Sequence, residues 1–147
     1  YVACGIRRPN TFPFSPPAEA TWIGWYAAAK GFDGFLRWAY NSWVKDPLMD
    51  TRFRTWPAGD TFLVYPGPRS SIRFERLREG IQDHEKIRIL MEPVWQYPER
   101  YDLPDSLDMK NFLNSFTEEA LNNIGASRMV QAGKEMLVRL SYYFEPQ

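Results

Sequence analysis

Three features of the sequence predict an α/β domain. Short apolar runs at residues 1–5, 32–40 and 61–65 have strand character, and they are interleaved with helical stretches at 16–30 and 72–91. The order strand, helix, strand over residues 1–40 predicts a β–α–β unit with parallel pairing and a right-handed crossover. Between Phe32 and Arg73 lies an unusual density of Trp, Tyr, Asn, Asp and Arg, where an α/β domain builds a ligand site at the carboxyl ends of its strands.

Each element has its own justification. Residues 1–5 are short, apolar and closed by Gly5, as in a buried strand. Ser15-Pro16-Pro17 is a helix start, with a hydroxyl to cap and proline where no N–H is missed. Glu19 in the first turn suits the helix dipole. Ala18, Trp22, Trp25, Tyr26 and Ala29 form an apolar stripe, and Lys30-Gly31 closes the helix. Residues 32–40 are the second expected strand. Residues 41–60 are too rich in Pro, Asp, Trp and Arg for regular structure, and a loop of roughly 20 residues in a compact domain is read as functional. TFLVY at 61–65 is a third short strand, stopped by Pro66-Gly67-Pro68.

Ser70 or Ser71 caps a long helix over 72–91, with Phe74, Leu77, Ile81, Ile87 and Leu90 as its buried stripe. Arg76, Arg78, Glu79, Asp83, Glu85 and Lys86 read as a solvated, ion-paired face. Gly80 in mid-helix implies close approach of a neighbour, and Pro93 is expected to block continuation. Residues 92–105 read as a Pro-rich linker. Two helices follow, over 106–124 and 126–144, broken at Gly125, and their short connection predicts an antiparallel pair. Three regions result: 1–91, the linker 92–105 and a helical hairpin at 106–147.

Composition narrows the function. The 147 residues carry 18 Lys+Arg and 18 Asp+Glu, so the formal net charge is zero, which argues against a nucleic-acid binder or a polybasic membrane patch. No apolar run has the length of a membrane span. Aromatic residues make up 16% of the chain, and their flat faces serve cores as well as sugar rings. One Cys allows no intrachain disulfide, and one His with one Cys makes no usual zinc site; no metal and no cofactor are expected. The chain starts at Tyr1 on what reads as a strand, and is expected to be a carboxyl-terminal piece of a longer protein.

Among candidate chemistries, GPRSS lacks the Gly-Lys-Ser/Thr ending of a phosphate loop. His84 falls near the buried stripe and reads as a packed structural residue. Asp46, Asp50 and Asp60 are the loop's carboxylates, but no spacing pairs them for acid–base work, and the chain has no adjacent Asp-Glu pair. Trp38, Tyr40, Asn41 and Trp43 are the stronger signal, placed where a strand gives way to its loop. Indole offers a flat face to a sugar, and Asn offers donor and acceptor to hydroxyls or an amide. Core packing explains Trp38 and Tyr40 as well as function does, whereas Asn41 and Trp43 lie in the loop and lean to function. Arg52 and Arg54 suit an anion, with Asp50 as a competing partner.

The run PNTFPFSPPAEATWIGWYAAAKGFDGFLRWAYNSW, followed by DTRF, WPAGDTFLVYPG and SSIRFERLREGIQDHEKIRIL, resembles the carboxyl-terminal half of the glycoside hydrolase family 123 catalytic barrel, within the domain-of-unknown-function family 4091. The resemblance covers roughly residues 2–90. It implies that residues 1–91 are the last two strand–helix units of a (β/α)8 TIM barrel, with TFLVY added in the final loop. It implies removal of terminal β-linked N-acetylgalactosamine by a substrate-assisted, retaining mechanism. In that mechanism the acetamido oxygen is nucleophile, a Glu is acid/base and a neighbouring Asp orients the acetamide.

This sequence departs from the family by lacking the Asp-Glu pair, which belongs to an earlier strand. No catalytic residue is therefore expected here, and the chain alone is expected to be inactive. Its share would be substrate binding by Trp38, Tyr40, Asn41 and Trp43, with Asp60 and Tyr65. Relatives are typically exported, which implies a periplasmic or extracellular parent. The partners implied are a carbohydrate and either the amino-terminal half of the barrel or a second copy. Two alternatives stand beside a hydrolase fragment. One is a non-catalytic carbohydrate-binding or structural module. The other is a protein-interaction module on the terminal helices, which requires an exposed apolar stripe over 106–144.

Overall fold

A computed structural model describes residues 8–37, 39–52, 57–60 and 62–144. Helices dominate. The first, α1, spans Ala18–Lys30; a two-stranded ribbon follows, with β1 at Val64–Tyr65 and β2 at Arg69–Ser70; then come α2 (Ile72–Gln96), α3 (Met109–Asn114), α4 (Glu118–Ile124) and α5 (Ala126–Phe144). Single 3-10 turns occupy Pro98–Arg100 and Asp105–Leu107.

α1 is the centre of the molecule. It buries Glu19 to Trp25 and Ala27, nearly all of its circumference, which marks a helix covered on several sides. One side packs on α2 at a crossing that only glycine permits. A Cβ on Gly24 would sit 2.1 Å from the Gly80 carbonyl oxygen, and one on Gly80 2.6 Å from the Thr21 carbonyl oxygen. Gly80 thus marks the close approach expected from its mid-helix position. Thr21 Oγ1 donates to the Arg76 carbonyl at 3.0 Å, and Trp25 Nε1 donates to Asp83 Oδ2 at 3.1 Å. Contacts advance together along both helices, so α1 and α2 run parallel. Parallel neighbours require the connecting residues 31–71 to return the full length of α1, as a β–α–β crossover does.

The other side of α1 meets the carboxyl-terminal helices. Trp22 and Trp25 share one core with Met109, Leu113, Phe116, Leu121, Met129 and Leu140. The Trp25 and Phe116 rings stack 5.3 Å apart. A Cβ on Gly133 would lie 2.6 Å from the Trp25 ring, so α5 makes room for the indole with a missing side chain. The apolar stripe of 106–144 is therefore buried on α1, which removes the interaction-module reading. The segment before α5 begins beside its end, where Tyr101 lies 5.8 Å from Phe144 and Tyr143 Oη donates to the Asp102 carbonyl at 3.0 Å. The expected antiparallel helix pair is not formed as such, because the stretch 106–124 is two short helices and Met109 and Leu113 of α3 join Trp22 and Trp25 of α1 in one core.

Several expectations are corrected. The described residues of 32–40 form no strand, because no partner strand lies alongside them among the described residues. Among the described residues of TFLVY, Val64 and Tyr65 pair antiparallel to Ser70 and Arg69 in a two-residue ribbon. The expected strand at 1–5 lies outside the described residues. Ser15 does not cap α1; its hydroxyl bonds to Asn10 Oδ1, and the cap position is Pro17. α2 continues through the exposed Pro93 to Gln96, and Tyr97 N–H still reaches the Pro93 carbonyl at 3.0 Å. The stretch 106–124 is two helices, capped by Asp108 and Thr117 through bonds from the N–H groups of Asn111 and Ala120. On α2 the inward stripe is Leu77, Gly80, Asp83, Ile87, Met91 and Val94, while Ile81 is exposed. Asp83 is thus a buried group and not part of the solvated face.

Candidate functional site

The loop-bearing end of the molecule is built by two clasps on the start of α2. Ser71 caps that helix by accepting from Phe74 N–H at 3.1 Å, while its hydroxyl donates to the Leu63 carbonyl at 2.7 Å. Arg73, one turn in, donates from Nε to the Phe12 carbonyl at 2.7 Å and from Nη2 to the carbonyls of Pro13 and Ser15. Burial pushes the Arg73 pKa down. The loop before α1 is fixed from the other side by Glu19. This fully buried carboxylate accepts from Arg8 Nε at 2.6 Å and from Asn10 N–H at 3.0 Å. Glu19 therefore anchors the PNTFPF loop rather than merely complementing a helix dipole.

The long loop folds onto this base. Arg37 and Asp60, 23 residues apart, form a buried ion pair at its foot, and the Arg37 guanidinium lies 5.4 Å from the Phe12 ring centroid. Trp43 Nε1 donates to the Val64 carbonyl at 2.9 Å, tying the middle of the loop to β1. Tyr40 meets Phe74 edge to face at 6.1 Å, and Tyr65 meets Phe62 at 5.5 Å. Tyr40 and Asn41 are exposed, Trp43 and Tyr65 half-buried, and Asp60 buried. These contacts fasten the loop at separate points: Tyr40 on Phe74, Trp43 on the Val64 carbonyl, Asp60 on Arg37 and Tyr65 on Phe62. Trp38 lies outside the described residues. Arg37, Arg73 and Glu19 are the residues that sequence reasoning missed, and their partners lie 9 to 61 positions away.

Two of the loop's carboxylates are held by arginines. Hydrogen bonds from the Arg52 side chain and backbone hold Asp50 at a pKa of about 2, so it is ionised at neutral pH and delivers no proton. Asp60 is locked to Arg37. Two buried polar atoms in these segments, Thr11 Oγ1 and Arg37 Nε, have no partner among the described residues, an uncommon state in folded proteins. No group of three His, Cys, Asp or Glu among the described residues could hold a metal ion, and no described helix is long and apolar enough to cross a membrane. His84 is half-buried beside Leu77 and Ile81, away from this loop.

No curated protein matches the chain. Among solved structures, a family 123 glycoside hydrolase from Clostridium perfringens, described for glycolipid glycan hydrolysis, superposes with a TM-score of 0.74 at 25% identity. The superposition covers 97% of this chain and 27% of that enzyme, so the chain spans about a quarter of its relative's length. It takes in the carboxyl-terminal helices as well. The description "Glycoside hydrolase 123, catalytic domain" matches residues 1–90, and the chain therefore belongs to the glycoside hydrolase 123 catalytic-domain family.

Proposed function

We propose that this chain is the carboxyl-terminal part of a (β/α)8-barrel glycoside hydrolase that removes terminal β-linked N-acetylhexosamine, N-acetylgalactosamine-like, from glycans. The family match over residues 1–90 is the observation that carries the reading. The parallel packing of α1 and α2 supports a barrel origin, since consecutive helices of a (β/α)8 barrel run parallel outside their strands. In this reading residues 40–65 supply sugar-binding groups. Trp38 and Trp43 offer aromatic faces, Asn41 bonds to hydroxyls or the acetamide, and Tyr40 and Tyr65 flank them. Asp60 acts with Arg37 to hold the loop's foot. The Asp-Glu pair of the substrate-assisted reaction lies upstream, on a strand that this chain does not contain. Export to the periplasm or the cell exterior, and assembly with the amino-terminal half of the barrel, belong to the same reading.

The test is hydrolysis of an aryl 2-acetamido-β-galactoside by the 147-residue chain beside a form extended upstream in its own gene. Activity in the extended form alone is expected. Activity in neither form would overturn the hydrolase reading in favour of a carbohydrate-binding module. Activity in the short chain would return the catalytic role to Asp46, Asp50 and Asp60.

A further inference from the structure

A second feature stands apart from the loop. Where the ends of α1 and α2 meet the 3-10 turns and α3, the surface opens into a groove of about 670 Å³. The buried side chains of Met91 and Leu113 line its depth, and Ala28 and Ala29 keep one wall low. Trp95, 47% exposed, lines the same groove with Asp105, Asp108, Lys110 and Asn114. Asp108 spends one oxygen on the Asn111 N–H at 3.0 Å. The other four polar groups (the Trp95 indole N–H, the Asp105 carboxylate, the Lys110 ammonium and the Asn114 amide) have no side-chain partner among the described residues. The loop site is remote from this groove. Phe74, which touches Tyr40, and Trp95 lie on one helix, about 30 Å apart along its axis at ~1.5 Å per residue.

We propose that this groove is a second carbohydrate-binding site, for an uncharged glycan. It rests on the reading of the protein as carbohydrate-active. Three features select that ligand. A sugar ring presents C–H groups on one face, and an exposed indole at a groove wall stacks on them. Its hydroxyls donate to carboxylates and accept from ammonium, amide and indole N–H, and all these partners are present with their capacity unspent. The two carboxylates and one ammonium leave little net charge to recruit a phosphate or a polyanion. Site of binding and site of cleavage would then lie at opposite ends of α2, so one glycan chain or one glycan-coated surface is held while its termini reach the loop.

The experiment is a titration of the chain with an oligosaccharide ending in β-linked N-acetylgalactosamine, following the indole N–H resonances of each Trp. The Trp95 resonance should move. Trp95→Ala should weaken the dissociation constant at least about tenfold, a loss of ~1.4 kcal/mol. Trp95→Tyr, which keeps a flat ring, should restore most of the affinity, and Asp105→Asn should weaken it with the fold intact. An unmoved Trp95 resonance, or wild-type affinity in Trp95→Ala, overturns the proposal. A shift confined to the Trp43 indole overturns it as well, while upholding the loop as the sugar site. Hydrolysis by the extended protein is read separately, so failure of the groove and failure of the hydrolase reading give different results.

Discussion

Asp83 shows how a single side chain can decide the packing of three helices. It sits on the inward stripe of α2, receives Trp25 Nε1 from α1, and accepts from Lys134 Nζ on α5 at 2.8 Å. Lys134 also lies 3.0 Å from Glu79, which in turn accepts from Thr21 and Arg76. Without Lys134 the buried Asp83 keeps only Trp25 and the more distant Lys86, so Lys134→Ala should cost about 1–3 kcal/mol in urea unfolding, more than truncation of an exposed lysine such as Lys110. Burial pushes the Glu79 carboxyl up, but hydrogen bonds from Arg76 and Lys134 and their charges outweigh it and hold the pKa at about 2, below the ordinary 4.5. A depressed folded-state pKa stabilises above the unfolded value and loses that stabilisation as pH falls through the folded one. The melting temperature should therefore drop more steeply between pH 4.5 and 2 in the wild type than in Glu79→Gln. The Arg76–Glu79 and Lys86–Asp83 pairs were legible as an ion-paired helix face, but the burial of Asp83 was not. Asp83 has charged neighbours on α2, so sequence alone assigns it to a solvated face; its real partners are 58 and 51 positions away.

At the scale of elements, helices were the legible part, because their signals are local. Lys30-Gly31 ends α1 with Gly31 at a φ of 65°, and Ser71 caps α2, both where the sequence places them. Ser71→Ala should cost about 1 kcal/mol for the lost cap, and the freed Leu63 carbonyl should loosen β1. Gly80 was legible as a close approach but not as to its partner. Gly80→Ala meets backbone rather than a movable side chain, so it should destabilise by about 3 kcal/mol in the same denaturation series. Segment 106–124 misled because its apolar spacing is continuous, while the hydroxyl of Thr117 restarts the helix. Pro93 misled because it sits near the helix end on an exposed face, where the helix tolerates it. The strands were least legible. A strand exists through its neighbours' hydrogen bonds, and apolar composition at 32–40 supplies none.

For the whole molecule, two halves share one core. The family match stops at residue 90, yet Trp22 and Trp25 bury their rings against Phe116, Met129 and Gly133 beyond it. The superposition on the Clostridium enzyme covers both halves, so the terminal helices belong to the same architecture. Family membership was readable from ordered motifs, and successive strand–helix units imply parallel helices, whereas the glycine contact that brings α2 onto α1 needed coordinates. The loop of residues 37–65 draws its order from that base: the Arg37–Asp60 pair at its foot, Trp43 on Val64, and Arg73 and Ser71 beneath. In the proposed function this loop supplies sugar-binding groups to a glycoside hydrolase. The most direct measurement is kcat/KM on an aryl 2-acetamido-β-galactoside for the upstream-extended protein and its Asn41→Ala variant, with folding followed by circular dichroism. Asn41 is exposed, so its truncation should leave the fold unchanged; the account predicts a fall in kcat/KM of about tenfold or more. Equal kcat/KM in the two proteins would contradict it.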